Sequence, residues 1–172
     1  KRLVAHKLRR QSRLLAQARR RRADQSRALS RGIDSLQALL PALDLAADLP
    51  TVRGLEGAGA GAHFQALAAV LPPSLGFVAR RRRPPPDPVN AALSLGYTLL
   101  HFEAARAAYA AGLDPYIGFL HGVSFGRESL ASDLIEPLRP TIDGWLWRLF
   151  AERALRAEHF HTEAGRCLLG KA

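Results

Sequence analysis

Four side chains have the types and spacing to do chemistry together: Glu56, His121, Asp133 and Glu136. Glu56 is a lone acid framed by Gly54 and Gly57, at the head of an alanine-rich stretch. A helix dipole alone would favour an acid there. Asp133 and Glu136 are three residues apart within Leu130–Leu138, so on a helix both project from one face. Two acids so placed repel each other and are costly to desolvate unless a cation neutralises them. Arg127 and Arg139 are close enough in sequence to do so, and a salt-bridged surface face explains the spacing by itself. His121 shifts the balance, because it ends the apolar run Tyr116–Leu120 just before the acidic helix. One histidine with two or three carboxylates suits Mn²⁺ or Mg²⁺ and leaves coordination positions for water and phosphate.

Other chemistries find little support. His63 and His101 fall on expected helices, and His159 with His161 straddles Phe160 at no zinc-motif spacing. There is no nucleophile elbow, phosphate-cradling loop or dinucleotide fingerprint. Cys167 is the one cysteine, which excludes an intrachain disulfide and a cysteine-rich zinc site. Its apolar setting predicts a buried thiol, and a reducing, cytoplasmic compartment is the expectation.

These residues need elements to hold them, and the pattern is helical. Within 172 residues, 48% hydrophobic, there is room for one domain with a core. No apolar run approaches the ~18 residues of a membrane span. Leu3, Val4, Leu8, Leu14, Leu15 and Ala18 recur at spacings near three and four, which predicts a basic amphipathic helix over Lys1–Ala28. Gly32 is expected to interrupt it, and Pro41 and Pro50 to weaken the next stretch. Glycines around Glu56 read as flexible, and Pro72 and Pro73 as a stop. Pro84, Pro85 and Pro86 place the preceding arginines on a loop. Asp87 and Pro88 mark the start of a helix reaching Ala111, closed by Gly112. Ser129 is a candidate cap for a short helix through Leu138, and an aromatic helix runs over Ile142–Leu155. A short extended piece at Cys167–Leu169 is the only hint of strand. The expected fold class is therefore all-α, with residues 1–172 as a single domain. Residues 1–50 are a basic helical segment packing on a metal-site core over 51–172. The lack of any methionine and of a cap before the first helix leads us to expect a fragment of a longer chain.

Charge is concentrated at one end. Residues 1–31 carry 12 of the 25 lysines and arginines and one acid, Asp24, while the remainder is nearly neutral. Such a stripe, with Arg19, Arg20, Arg21 and Arg22 in succession, points to a polyanion, nucleic acid ahead of a merely solubilising face. A second cluster, Arg80, Arg81, Arg82 and Arg83, sits on the proline-stiffened loop, where DNA contact outweighs a solvated loop.

The ordered motifs resemble a known family. Arg53-Gly-Leu-Glu-Gly57, Arg83-Pro-Pro-Pro-Asp87 with Val89-Asn90, Leu93–Leu100, Gly112-Leu-Asp-Pro115, Gly118-Phe-Leu-His121, and Gly126–Leu130 through Asp133–Glu136 to Leu138-Arg-Pro140 are similar to the CRISPR-associated integrase. The likeness extends to Lys7-Leu-Arg-Arg-Gln11 and Glu158-His-Phe160. It implies that Glu56, His121 and Glu136 ligate Mg²⁺ or Mn²⁺, with Asp133 in or beside the catalytic shell. Asn90, Tyr97 and His101, spaced by seven and four on one helix face, are supporting or DNA-contacting residues, with helix packing an equal alternative. The family carries an N-terminal β-rich domain supplying much of its homodimer contact, which this sequence lacks, and pairs with a small ferredoxin-like partner subunit.

The function so implied is a metal-dependent DNA endonuclease and integrase of CRISPR adaptation, acting on prespacer and CRISPR repeat by transesterification. The alternative is a non-catalytic helical nucleic-acid-binding module or an inactive scaffold relative, in which the acids only balance arginines.

Overall fold

A stripe of Val4, Leu8, Leu15 and Ala18, all buried, winds the first stretch into a helix whose opposite face is arginine. The computed structural model describes residues 1–170, and among these six α-helices precede a hairpin. They are α1 (Arg2–Arg21), α2 (Ser26–Leu45), α3 (Leu49–Ala68), α4 (Pro88–Ala110), α5 (Ser129–Ile135) and α6 (Arg139–Ala151). The strands β1 (Phe160–Glu163) and β2 (Arg166–Leu169) pair antiparallel, Phe160 opposite Leu169. The fold is all-α with this one small addition, and the hairpin corrects the expectation of a lone extended piece. No described helix is long and apolar enough to cross a membrane.

The first helix ends at Arg21, earlier than its periodicity suggests, in a 3₁₀ turn over Ala23–Gln25. Gly32 does not interrupt anything; it lies inside α2, which also continues through Pro41. A methyl group on Gly32 would come 2.5 Å from the Ala66 Cβ, so glycine there lets α2 and α3 pack backbone to backbone. The glycine-rich segment around Glu56 is likewise helix, not flexible loop. α3 starts where the Asp48 carboxylate accepts from Thr51 N at 2.8 Å, with Pro50 in its first turn.

Asp87 caps α4 as expected, accepting from Asn90 N at 2.8 Å. Ser129 does not cap α5; its Oγ donates to Gly122 O at 2.8 Å and ties the preceding loop to the helix. Pro140 falls in the first turn of α6, so that helix begins earlier and ends earlier than predicted. β2 lies along the triple-proline segment, Cys167 N donating to Pro85 O at 2.8 Å, and buries the Cys167 thiol. Phe160 stacks on Phe150. Leucines 8, 15, 29, 36, 43, 67 and 93, with Phe150, are almost wholly inaccessible in the shared core. Each such side chain contributes about 1.5–3 kcal/mol against exposure.

Candidate metal centre

The acidic helix splits its two carboxylates between different tasks. Asp133, fully buried on α5, turns towards the loop before it. Its Oδ2 accepts from the backbone of Phe119 at 2.6 Å and Leu120 at 2.8 Å. Its Oδ1 accepts from His121 N at 2.9 Å and lies 2.6 Å from His121 Nδ1. Asp133 thus fixes the loop and orients the imidazole, with Nε2 left as the ring nitrogen able to ligate.

Glu136, just beyond the end of α5, points the other way, at α1. Lys7 Nζ donates to Glu136 Oε2 at 2.5 Å and also to Glu56 Oε1. Glu56 is in the second turn of α3, so three helices converge on one ammonium group. Arg139 Nε stands 3.0 Å from Glu136 Oε1, an ion pair without hydrogen-bond alignment. Burial pushes the Glu136 carboxyl up, but Lys7 and then Arg139 outweigh it and hold the group below its ordinary value. Arg53, one turn before Glu56, donates from Nε to Leu120 O at 2.7 Å and ties α3 to the His121 loop.

Among the described residues, no three His, Cys, Asp or Glu side chains stand together as a ready ligand cluster. The chemistry of the donors still fits a divalent cation. Two carboxylates from different elements already share one cation, and the Nδ1 of His121 is held by a third carboxylate.

Behind the centre lies a buried polar network. Asp143 on α6 accepts from the Tyr97 hydroxyl and lies 3.0 Å from His63 Nε2. Burial, then the Asp143 charge, pushes the Tyr97 hydroxyl well above its ordinary value. The guanidinium groups of Arg139 and Arg80 stand over the Tyr97 ring at 4.5 and 5.5 Å. Tyr97 therefore supports Arg139, the partner of Glu136. Asn90 is buried and serves the arginine loop: its Oδ1 accepts from Arg80 at 2.9 Å and from Arg81 N at 2.7 Å. His101 pairs with Glu128 at 2.8 Å, apart from the carboxylates around Lys7.

The two arginine clusters divide. Arg80 is committed inward, to Asn90 and Ser94, whereas Arg81, Arg82 and Arg83 are exposed. Arg19 donates to Ser30 Oγ at 2.9 Å, and Arg22 pairs with Asp24 at 2.7 Å. Arg20 and Arg21 instead line a groove of about 630 Å³ between α1 and α6, with Arg10, Arg13 and Arg148. Arg127 is exposed and forms no ion pair with the acids.

Lys7 is the site residue that spacing arguments on the acids pass over. Its signal is a lysine in register with Val4 and Gln11, on the buried side of an otherwise arginine-rich helix.

Comparison with known proteins places the chain in a family. A curated relative from Thermodesulfovibrio yellowstonii, named CRISPR-associated endonuclease Cas1 1, is 46% identical over 125 residues, 72% of this chain and 39% of the relative. CRISPR-associated endonuclease Cas1 3 of Thermus thermophilus is 43% identical over 135 residues, 78% of this chain and 41% of the relative. The chain thus spans about two fifths of the length of these relatives. A chain of a partial Cas6-RT-Cas1–Cas2 complex superposes with a TM-score of 0.86 at 28% identity, covering 98% of this chain and 51% of that one. The sequence model described as CRISPR associated protein Cas1 matches residues 1–172, and the chain belongs to that family.

Proposed function

We propose that this chain is the catalytic helical domain of a CRISPR-adaptation integrase, an endonuclease-type enzyme that inserts captured DNA into the repeat array. The observation carrying this reading is that Glu56 and Glu136, from separate elements, already converge on one cation, while Asp133 fixes the His121 ring by its Nδ1. Glu56, His121 and Glu136 would hold Mg²⁺ or Mn²⁺, the imidazole favouring Mn²⁺ in affinity. When bound, the metal supplies positive charge to the phosphoryl oxygens of a strand-transfer reaction. In that reaction the 3′-hydroxyl oxygen of the captured strand bonds to phosphorus at the repeat edge and gives up its proton to water. The repeat strand's own 3′-oxygen leaves and takes up a proton.

The chain's residues do the positioning. Asp133 holds the His121 ring through Nδ1, Arg53 holds the loop at Leu120, and Arg139 steadies Glu136 from its place on Tyr97. The groove arginines would take backbone phosphates, giving affinity without base reading. Partners under this reading are prespacer and repeat DNA, a second copy of the protein, and a small Cas2-type subunit. The Cas2 assignment is supported by likeness to a chain of a complex containing one.

One observation favours the second reading, a non-catalytic nucleic-acid binder: both glutamates have cationic partners within the chain. Mn²⁺ titration calorimetry on the full natural chain separates the two. Integrase chemistry predicts one site, lost in His121→Ala and Glu136→Ala while DNA affinity persists. Binding unaffected by both substitutions would support the non-catalytic reading.

A further inference from the structure

The basic residues of this chain are overwhelmingly arginine: 22 of 25, against three lysines. Yet the buried ionic junction between Glu56 and Glu136 is occupied by a lysine, Lys7, only 4% exposed. The choice has a physical consequence. A guanidinium forks onto a carboxylate through two fixed N–H bonds and locks it, whereas an ammonium is a compact point charge on a flexible four-carbon stem. Two carboxylates that share an ammonium can exchange it for another compact cation without changing their own orientation.

The surroundings suit such an exchange. Glu136 keeps Arg139 on its other oxygen, so its position does not depend on Lys7 alone. The Glu56 side chain is 23% exposed against 4% for Glu136, which leaves the junction reachable from solvent on the α3 side. Charge points the same way. With Lys7 in place, the two cations and two carboxylates cancel. With a divalent cation in its stead, one positive charge is left over, the complement of a single phosphodiester.

We propose that Lys7 is a place-holding cation: it occupies the meeting point of Glu56 and Glu136 in the metal-free chain and yields both carboxylates to a divalent cation. The inference rests on the metal-site reading given above. Lys7 thereby stabilises the metal-free fold, since without it two carboxylates face each other across a mostly buried gap. It also weakens metal affinity, because every binding event must displace it.

The test is Mn²⁺ calorimetry with thermal melts on the full natural chain, wild type beside Lys7→Met. Without metal, Lys7→Met is expected to melt about 5 °C lower, and saturating Mn²⁺ to close that gap. Its Mn²⁺ dissociation constant is expected to be at least about tenfold tighter, given the Coulomb energy of a displaced neighbouring charge. Equal or weaker affinity in Lys7→Met overturns the proposal. Should that variant fail to fold, the Lys7 ammonium resonance of the wild type is followed by NMR during Mg²⁺ titration. Loss of its protected signal at saturation supports displacement, and an unchanged signal overturns it. Glu136→Gln tells the two failures apart. If it abolishes Mn²⁺ binding while Lys7 stays put in the wild type, this inference fails alone. If neither wild type nor Lys7→Met binds Mn²⁺, the metal-site reading falls with it.

Discussion

Asp133 bears more of the centre than its distance from the junction suggests, because a single buried carboxylate accepts from three consecutive backbone amides and faces one imidazole nitrogen. An amide in its place turns a donor towards those donors. Asp133→Asn is expected to cost about 2–4 kcal/mol in chemical denaturation, the range for breaking a buried network. On the proposed reading it should also weaken Mn²⁺ binding by roughly 10–100-fold in calorimetry, since the histidine proposed to ligate loses its orienting partner. Unchanged affinity in a folded Asp133→Asn would separate His121 from the metal. At this scale the sequence was informative about residue types and less so about their roles. The i, i+3 spacing of Asp133 and Glu136 places them on and just past the end of α5, but which one anchors a loop and which meets α1 depends on where Lys7 and the His121 backbone lie. Those are contacts of 12 residues or more along the chain, which local spacing does not encode.

Among elements, glycine is where local pattern and tertiary packing diverge. Gly32 and the glycines near Glu56 carry the signature of breaks, yet all lie within α2 or α3. The reason is visible at Gly59 and Gly61, two residues apart on α3. A Cβ on Gly59 would collide with Leu8, whereas one on Gly61 would meet nothing within 4 Å. Gly59→Ala is therefore expected to destabilise by about 1–3 kcal/mol through overpacking. Gly61→Ala should stabilise by about 0.5–1 kcal/mol through helix propensity. Thermal melts of the pair check both signs. The capping signal at Asp87 with Pro88 was dependable, because it defines α4 through a bond three residues long, whereas Ser129 turns to Gly122 instead of capping α5. The hairpin eluded the pattern for the opposite reason: each strand has only four residues, and β2 is held partly by Pro85, far away in sequence.

For the molecule as a whole, the basic surplus resolves into a groove and a loop instead of a uniform face. Arg20 and Arg21 belong to the α1–α6 groove, while Arg19 donates to the Ser30 hydroxyl and Arg22 pairs with Asp24. Replacing Arg20 and Arg21 by Gln should lower the slope of log affinity against log salt by about one unit per lost phosphate contact. Replacing Arg22, already paired with Asp24, should leave that slope nearly unchanged, as fluorescence anisotropy with duplex DNA at several salt concentrations would show. Under the proposed function DNA is the ligand of this surface, and the account stands or falls on whether strand transfer passes through the junction of α1, α3 and the end of α5. The most direct measurement is strand transfer of a 3′-hydroxyl DNA end into a repeat-containing duplex by the full natural chain with Mn²⁺, wild type beside Glu136→Gln. The account predicts joined product from the wild type and none from Glu136→Gln, with DNA binding intact in both. Joined product from Glu136→Gln at the wild-type rate would contradict it.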